Sequence, residues 1–338
     1  SQPFSSVINC AVPQVIPPTM TITTTNARHA HRSIRATSFG RVIECTVFLN
    51  KNINDMMMPS LIVRSHTLLD PSPFPRMKTY KRKEKDRIGI SVNGNIYDLS
   101  KAAKSIDIDL PRRMRRFLQK WESNLALAGK IEDAIKNQKI KDEYVVDNAM
   151  ILAPVPKPTS CRDGYAFRQH VSTARRNRGV EMIPEFDQFP VFYFTNHNAV
   201  FGEGDVYVET DHLEKLDFEL ECAVVIGKKG MNISAKDADD YIAGYTIMND
   251  LSARTLQMEE MKLNLGPAKG KDFATTIGPY LVTPDELEQY KIETPVGNKY
   301  NLEMKAFHNG KQISSGNLKD MDWTFAQIIE SCLLYTSP

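Results

Sequence analysis

The stretch that decides the fold of this chain is Leu216-Asp217-Phe218-Glu219-Leu220-Glu221-Cys222-Ala223-Val224-Val225-Ile226-Gly227. Acidic and apolar residues alternate through its first half, and an apolar run follows before the glycine. Strict alternation predicts a β-strand, because successive side chains of a strand point to opposite faces of the sheet. The apolar run indicates that the same strand continues into a covered core.

The alternation places the carboxylates of Asp217, Glu219 and Glu221 on one face of this strand. Carboxylates held so close together repel one another, and three arrangements relieve the repulsion: a bound cation, a proton retained on one of them, or a face open to water. For an arbitrary strand the open face is the ordinary interpretation, since acidic residues are rarely buried. The strand alone leaves these alternatives open.

Length and composition are those of an ordinary globular protein: 338 residues, enough for two domains, with 41% hydrophobic and 25% charged residues. The formal net charge of +2 gives no field directed at nucleic acid. Because no apolar run approaches the length of a membrane span either, we expect no nucleic-acid and no membrane partner. The five cysteines are scattered without a CxxC pair, which supports neither a disulfide framework nor a zinc cluster. We therefore expect a reducing compartment, the cytoplasm, with the mitochondrion as the alternative.

Composition also divides the chain. Residues 1–76 are rich in Ser, Thr and Pro and contain no acidic residue before Glu44, so we expect a disordered or non-native leader, with an arginine-rich transit peptide as the alternative. Residues 77–152 predict a small N-terminal α/β domain, with a hairpin turn at Asn93-Gly94 and a helical pattern over residues 110–125. The proline-rich segment 153–158 marks the boundary to a domain over residues 153–331.

Strands dominate the second domain. Besides residues 216–226, strands are predicted over 190–194, 206–208, 244–250 and 273–282, with a hairpin over 302–314. Helices are predicted over 235–242, 253–261 and 323–331. Many strands with few helices favour an α+β fold over a doubly wound parallel sheet.

Two further acids accompany the acidic strand. Asp250 ends an apolar strand, and Asp163 follows the proline-rich segment. Together with Glu219 and Glu221 they would form an all-oxygen site, without cysteine or a histidine pair. Such a site suits a hard divalent cation, Mg²⁺ or alternatively Mn²⁺ or Ca²⁺, and does not suit zinc.

Four motifs, taken together and in this order, resemble the fumarylacetoacetate hydrolase family over residues of about 160–330. They are Asp163-x-Tyr165-x-x-Arg168-Gln169-His170, Leu216-Asp217-Phe218-Glu219-Leu220-Glu221, Gly244-Tyr245-Thr246-Ile247-Met248-Asn249-Asp250-Leu251-Ser252-Ala253-Arg254 and Gly266-Pro267-Ala268-Lys269-Gly270-Lys271-Asp272-Phe273-Ala274-Thr275. The resemblance implies a catalytic domain with a mixed β-sandwich roll, assembled as a homodimer. It implies metal ligands at Asp163, Glu219, Glu221 and Asp250. It also implies a base at His170, a catalytic cation at Lys271, and substrate contacts at Tyr165, Tyr193, Arg254, Gln257 and Thr275.

The resemblance implies a metal-dependent hydrolase that cleaves a C–C bond of a small β-diketo or acylpyruvate-type oxo-acid. A decarboxylase, isomerase-hydratase or lyase on the same site is the alternative, as is an inactive metal-binding fragment. In this chemistry a histidine of near-neutral pKa activates water, and Lys271 and Arg254 offset negative charge on the substrate. Without the resemblance, His170 would be an ordinary surface histidine, and Arg254 and Gln257 a solvated helix face.

The chain departs from the family in two places. Residues 332–338 do not resemble the family, which continues with further strands, so we expect a truncated catalytic domain with a non-family tail. His170 is then expected to lack the acid that orients it, unless Glu181 or Glu185 serves, and the sheet to lack a central strand. Met261 stands where some members place a substrate-contacting tyrosine. The substrate therefore need not be fumarylacetoacetate.

Overall fold

The computed structural model describes the backbone of residues 6–12, 42–50, 60–68, 76–82 and 85–336, and the side chains of residues 77–82 and 85–332. The strands are β1 (Ser6–Val12), β2 (Val42–Asn50), β3 (Ser60–Leu68), β4 (Arg76–Arg82), β5 (Lys85–Val92), β6 (Asn95–Asp98), β7 (Met150–Leu152), β8 (Ser160–Gly164), β9 (Phe192–Thr195), β10 (Val200–Phe201), β11 (Gly204–Tyr207), β12 (Leu216–Ile226), β13 (Ile242–Ala253), β14 (Thr275–Ile277), β15 (Lys291–Ile292), β16 (Lys299–Tyr300), β17 (Glu303–His308) and β18 (Lys311–Asn317).

The α-helices are α1 (Leu99–Lys104), α2 (Met114–Leu118), α3 (Trp121–Lys136), α4 (Arg168–Asn177), α5 (Ala235–Ala238), α6 (Arg254–Met261) and α7 (Phe325–Thr336). Short 3-10 helices are Asp142–Tyr144, Pro184–Asp187, Thr210–Leu213, Asp239–Tyr241, Pro284–Tyr290 and Leu318–Asp320. In the described part of the chain, none of the helices combines the length and the apolar character that crossing a bilayer requires.

Two sheets of mixed direction form the larger part of the molecule. One has the order β10-β14-β13-β12-β1-β8-β9, and the other the order β11-β3-β2-β17-β18. Side chains of both sheets meet those of α7 in one hydrophobic core. The fold is therefore α+β, as the sequence predicts.

The strand β12 follows the alternation of the sequence. Its even-numbered side chains, from Phe218 to Ile226, lie in the core shared by the two sheets. Its odd-numbered apolar side chains, Ala223 and Val225, lie in a second core on the opposite face. The acidic half of that opposite face is the floor of the site described below, and Glu219 and Glu221 are only 7% and 0% exposed. The face open to water is therefore excluded for these two carboxylates.

A smaller unit is built from residues 76–152. Its sheet has the order β6-β5-β4-β7, and α1, α2 and α3 pack against it in the second core. The predicted hairpin turn is confirmed, with Asn93 and Gly94 at φ 50° and 83°. The helical pattern of residues 110–125 falls into two helices, because the chain leaves helical geometry at Lys120 (φ −131°, ψ 52°).

Residues 1–76 differ in part from the expected disordered or non-native leader. The stretches 6–12, 42–50 and 60–68 are strands, and β1 pairs with β12 on one side and β8 on the other. The central position between β8 and β12 is thus filled by a strand from the N-terminal part. The other residues of 1–75 lie outside the described residues, as do 337 and 338 at the end of the predicted tail.

Candidate active site and metal centre

Three carboxylates from three strands meet at the edge of the acidic face. Asp163 of β8, Glu221 of β12 and Asp250 of β13 each offer an oxygen atom, and these atoms all lie within 4.8 Å of one another. The three residues are 4%, 0% and 0% exposed. The register explains part of this meeting, because Glu219 lies directly opposite Asp250 and so places Asp250 on the face that also carries Glu221.

Several oxygens of this cluster lack a hydrogen-bond partner. Among the described residues, neither carboxylate oxygen of Glu221 and not the Oδ1 of Asp250 accepts a hydrogen bond. Buried carboxylate oxygens without partners are costly, and they are retained where a cation or a proton satisfies them. Converging, buried and partnerless oxygens are the donor set of a hard divalent cation, so the residues fit the predicted metal.

Glu219 stands apart from the three-carboxylate cluster. Its carboxylate accepts from the Nζ of Lys271 at 2.9 Å and from Nη2 of Arg254 at 2.7 Å. The sequence predicts four carboxylates around one point, whereas the structure brings three together and gives the fourth two cationic partners. Two cations compete for the oxygens of Glu219, and its role as a metal ligand stays a prediction.

Lys271 and Tyr193 donate hydrogen bonds to the cluster itself. Lys271 is 3% exposed, and its Nζ donates to Asp250 as well as to Glu219. The hydroxyl of Tyr193 lies 3.2 Å from Oδ2 of Asp163 and 3.1 Å from Oδ2 of Asp250. Tyr193, predicted as a substrate contact, is thus placed to donate its one hydroxyl proton to either of two candidate metal ligands.

The pKa values of the acids at the site shift in opposite directions. Burial and the neighbouring carboxylates raise the pKa of Asp163 and of Glu221 well above the usual range, and burial raises that of Asp250. Burial also acts to raise the pKa of Glu219, but Lys271 and Arg254 outweigh it and hold that pKa well below the usual range. Arg254 and Lys271 both contact Glu219, and Lys271 also contacts Asp250. Among the described residues, neither cation forms an ion pair with Asp163 or Glu221.

His170 lies in the first turn of α4. Its ring is 5.9 Å from that of Tyr165, centroid to centroid. Burial lowers its pKa below 6.5, against the opposing effect of Glu219, so the imidazole is neutral at pH 7. No carboxylate of the described residues hydrogen-bonds to this imidazole. Glu181 and Glu185, the alternatives considered from the sequence, are both exposed and provide no such bond. The lack of an orienting acid stays a prediction.

The remaining predicted substrate contacts are Arg254, which contacts Glu219, Gln257, which contacts Arg254, and Thr275. Arg254 donates from Nε to Asp217 at 2.8 Å and from Nη1 to Gln257 at 3.0 Å, so neither Arg254 nor Gln257 is merely solvated. Thr275 is 1% exposed and pairs with Asp250 across the β13–β14 ladder. The sequence reasoning did not assign Asp217 a role. Its position on the same strand face as Glu219 was the available signal.

The sequence that forms this site matches the model of a known protein family. The family described as fumarylacetoacetate (FAA) hydrolase C-terminal matches residues 159–334, which include all four candidate ligands. The chain belongs to the fumarylacetoacetate hydrolase family. The family match extends past residue 331, so it overlaps the first residues of the predicted non-family tail.

Curated relatives of this fumarylacetoacetate hydrolase family member include proteins named as oxaloacetate tautomerases. The oxaloacetate tautomerase YisK of Bacillus subtilis (strain 168) is 31% identical over 252 residues, which are 70% of this chain and 75% of the relative. A mitochondrial oxaloacetate tautomerase of Xenopus laevis is 30% identical over 261 residues, 75% of this chain and 73% of the relative. Enzymes named for a small oxo-acid are thus represented among the relatives.

Solved structures share the fold. The fumarylacetoacetate hydrolase of Exiguobacterium antarcticum superimposes with a TM-score of 0.53 at 19% identity, covering 77% of this chain and 81% of that one. The maleylpyruvate hydrolase of Sphingobium sp. SYK-6, in complex with manganese(II) and pyruvate, gives 0.52 at 18% identity, covering 78% and 84%. At such identities these likenesses establish the fold alone.

Proposed function

We propose that this chain is a divalent-metal-dependent tautomerase of a small 2-oxo dicarboxylic acid. The reaction moves a proton between the carbon next to the carbonyl and the carbonyl oxygen. The observation that carries the proposal is the buried cluster of Asp163, Glu221 and Asp250, some of whose oxygens have no hydrogen-bond partner among the residues that the structure describes. The tautomerase relatives, at 30% and 31% identity, favour proton transfer over bond cleavage.

Asp163, Glu221 and Asp250 would hold the cation, with Glu219 as the predicted fourth ligand and Mg²⁺ as the expected ion. When bound, the cation supplies Lewis-acid polarisation of a carbonyl oxygen. His170 is the proposed base, because a neutral imidazole can take a proton from carbon or from water. Lys271 provides a buried positive charge beside the reacting group, where a low dielectric strengthens its effect.

A second candidate is the predicted hydrolysis of a C–C bond in a β-diketo or acylpyruvate-type acid. The neutral state of His170 favours it, since the same imidazole could deprotonate water instead of carbon. The decarboxylase, isomerase-hydratase and lyase alternatives use the same groups. The small oxo-acid substrate and the homodimer expected from the resemblance belong to this proposal, and light scattering of the purified protein tests the dimer.

An assay of the purified chain separates these functions. The protein is stripped with EDTA, and Mg²⁺, Mn²⁺ or Ca²⁺ is restored. Loss of the enol absorbance of oxaloacetate and cleavage of acylpyruvates are then followed in parallel, with the spontaneous rates subtracted. We expect metal-dependent acceleration of oxaloacetate tautomerisation. Metal-dependent cleavage without tautomerisation would favour the hydrolase, and metal binding with neither reaction would favour the inactive fragment.

Replacement of Glu221 tests the metal centre without relying on turnover. A cation that binds only the folded state stabilises it by mass action, so Mg²⁺ or Mn²⁺ should raise the Tm of the parent protein. Glu221→Gln should abolish both this increase and the activity. In EDTA the variant should unfold no earlier than the parent, because it removes a buried carboxylate without a hydrogen-bond partner in the described part of the chain. Glu214→Gln, at an exposed position just before β12, is the control. A full Mg²⁺ response in Glu221→Gln would show that the cation binds elsewhere.

A further inference from the structure

The turn that carries Lys271 is fastened to α6 by one carboxylate. Glu260, in the last turn of α6, accepts hydrogen bonds from three consecutive backbone N–H groups: those of Ala268 at 3.0 Å, Lys269 at 2.7 Å and Gly270 at 3.3 Å. Three N–H groups that converge on one anion form a compact nest, and charge-assisted hydrogen bonds of this kind are stronger than neutral ones.

The same turn contacts α6 at a second place. A Cβ added to Gly270 would lie 2.6 Å from the backbone nitrogen and the Cβ of Gln257, so the two segments are in close contact there. The Gly270 carbonyl accepts from the N–H of Ala253 at 2.8 Å, just before α6 begins. The turn is therefore held at both ends of the helix.

The position of the Lys271 backbone is a consequence of this arrangement. Its N–H, like that of Asp272, donates to the Ala268 carbonyl at 2.9 Å, so its backbone is part of the same turn. From there the side chain reaches inward, and Nζ donates to Glu219 and Asp250. A long lysine side chain has many rotamers, and a fixed backbone restricts how many of them point at the two carboxylates.

We infer that Glu260 is a positioning residue for Lys271. It does not touch the reacting atoms, and it acts by holding the turn of residues 268–270 against α6 so that the ammonium group stays between Glu219 and Asp250. The consequence for turnover rests on the proposed function, whereas the placement of Lys271 does not.

Chemical labelling of lysine tests the placement without an activity assay. The metal-stripped protein is treated with N-hydroxysuccinimide acetate, and acetylation of Lys271 is measured by mass spectrometry relative to exposed Lys130. We expect Glu260→Gln to increase labelling of Lys271 by about tenfold, since an amide oxygen cannot replace a carboxylate as acceptor of three N–H groups. Glu259→Gln, at the exposed neighbouring position, should leave the rate unchanged. Glu260→Asp, too short to reach all three groups, is the second variant if Glu260→Gln does not fold. An unchanged Lys271 rate in the folded variant would overturn the inference.

A double-mutant cycle tests the link to turnover. Glu260→Gln should lower kcat by roughly tenfold with a smaller change in KM, and it should cause no further loss in a Lys271→Met background. Equal losses in both backgrounds would show that Glu260 does not act through Lys271. If no oxo-acid is turned over by the parent, the proposed function fails while the labelling result still decides the role of Glu260.

Discussion

Two glutamates on one strand face show how strongly the pKa of a side chain depends on its immediate neighbours. Glu219 and Glu221 are two positions apart on β12 and both are buried. The pKa of Glu219 is lowered because Lys271 and Arg254 contact it. The pKa of Glu221 is raised because the residue is buried and lies beside the carboxylates of Asp163 and Asp250. Glu221, which has no cationic partner among the described residues, is therefore the one of the two that most needs a metal ion.

The pH response of His170 is the prediction at this scale. The pKa of His170 in the folded protein lies below the 6.5 of the unfolded chain. Between these two pKa values the unfolded chain binds more protons than the folded protein does. Stability is therefore expected to fall as the pH decreases through this window. His170→Gln should lose less Tm than the parent between about pH 7.5 and pH 5. Thermal unfolding of both proteins across this range measures the difference.

His170→Gln should also lower kcat by roughly 10²–10⁴-fold. The decrease of kcat at acidic pH should disappear, while the increase of Tm with Mg²⁺ should persist. His197→Gln, at a histidine between β9 and β10, is the control. A parent and a His170→Gln protein with the same pH dependence of Tm would contradict the burial of a neutral imidazole.

At the scale of elements, the pairing of β12 with β13 creates the site. Every residue of β13 is buried, and the ladder places Glu219 opposite Asp250. The helix α6 begins directly after β13 and supplies Arg254 and Gln257, and the turn after it supplies Lys271. Thus β12, β13 and α6 provide most of the charged groups of the site. The distance between α6 and the turn of residues 268–270 determines where Lys271 lies.

Glycine replacements test this distance. Gly270→Ala should destabilise the protein by about 1–3 kcal/mol, because the new Cβ would meet the backbone of Gln257, which cannot rotate away. The control is Gly129→Ala in α3, where nothing lies within 4 Å of the added Cβ. That change should stabilise the protein by about 0.5–1 kcal/mol, as alanine favours helix more than glycine does. Calorimetric Tm values compare the two variants, and equal Tm values would contradict the close contact at Gly270.

At the scale of the molecule, the smaller unit and the sheet that contains β12 share a core. Met77 and Ile90 of the smaller unit lie in the same hydrophobic cluster as Ala223 and Val225 of β12 and Leu281 after β14. A backbone hydrogen bond of 3.1 Å from Leu281 to the Met77 carbonyl crosses the same boundary. The two units are therefore expected to unfold together.

Leu281→Ala tests this shared core. Leu281 is fully buried, so its truncation should cost about 2–5 kcal/mol through lost burial and the resulting cavity. Differential scanning calorimetry should show one transition in the parent and one, at lower temperature, in the variant. Leu263→Ala, at a position that is 81% exposed, should leave the Tm nearly unchanged. Two separate transitions, only one of which moves, would show that the units fold independently.

The sequence by itself determined the features that depend on neighbours along the chain. Alternation predicts β12 and the face of its acids, Asn93-Gly94 predicts a turn, and many strands with few helices predict the α+β class. Four motifs in order predict the family. These signals are local, because side-chain direction in a strand and positive φ in a turn depend on adjacent residues.

Only the tertiary structure decided which charges meet. Glu219 and Asp250 face each other through a register between segments about 30 residues apart, and Lys271 reaches both through a turn held by Glu260. No periodicity in the sequence encodes such distances. The sequence therefore predicts four acids around one point, whereas the structure brings three together and pairs Glu219 with two cations. The strand at Ser6–Val12 was missed for the same reason: its place between β8 and β12 comes from partners more than 140 residues away, and its composition gives no sign of them.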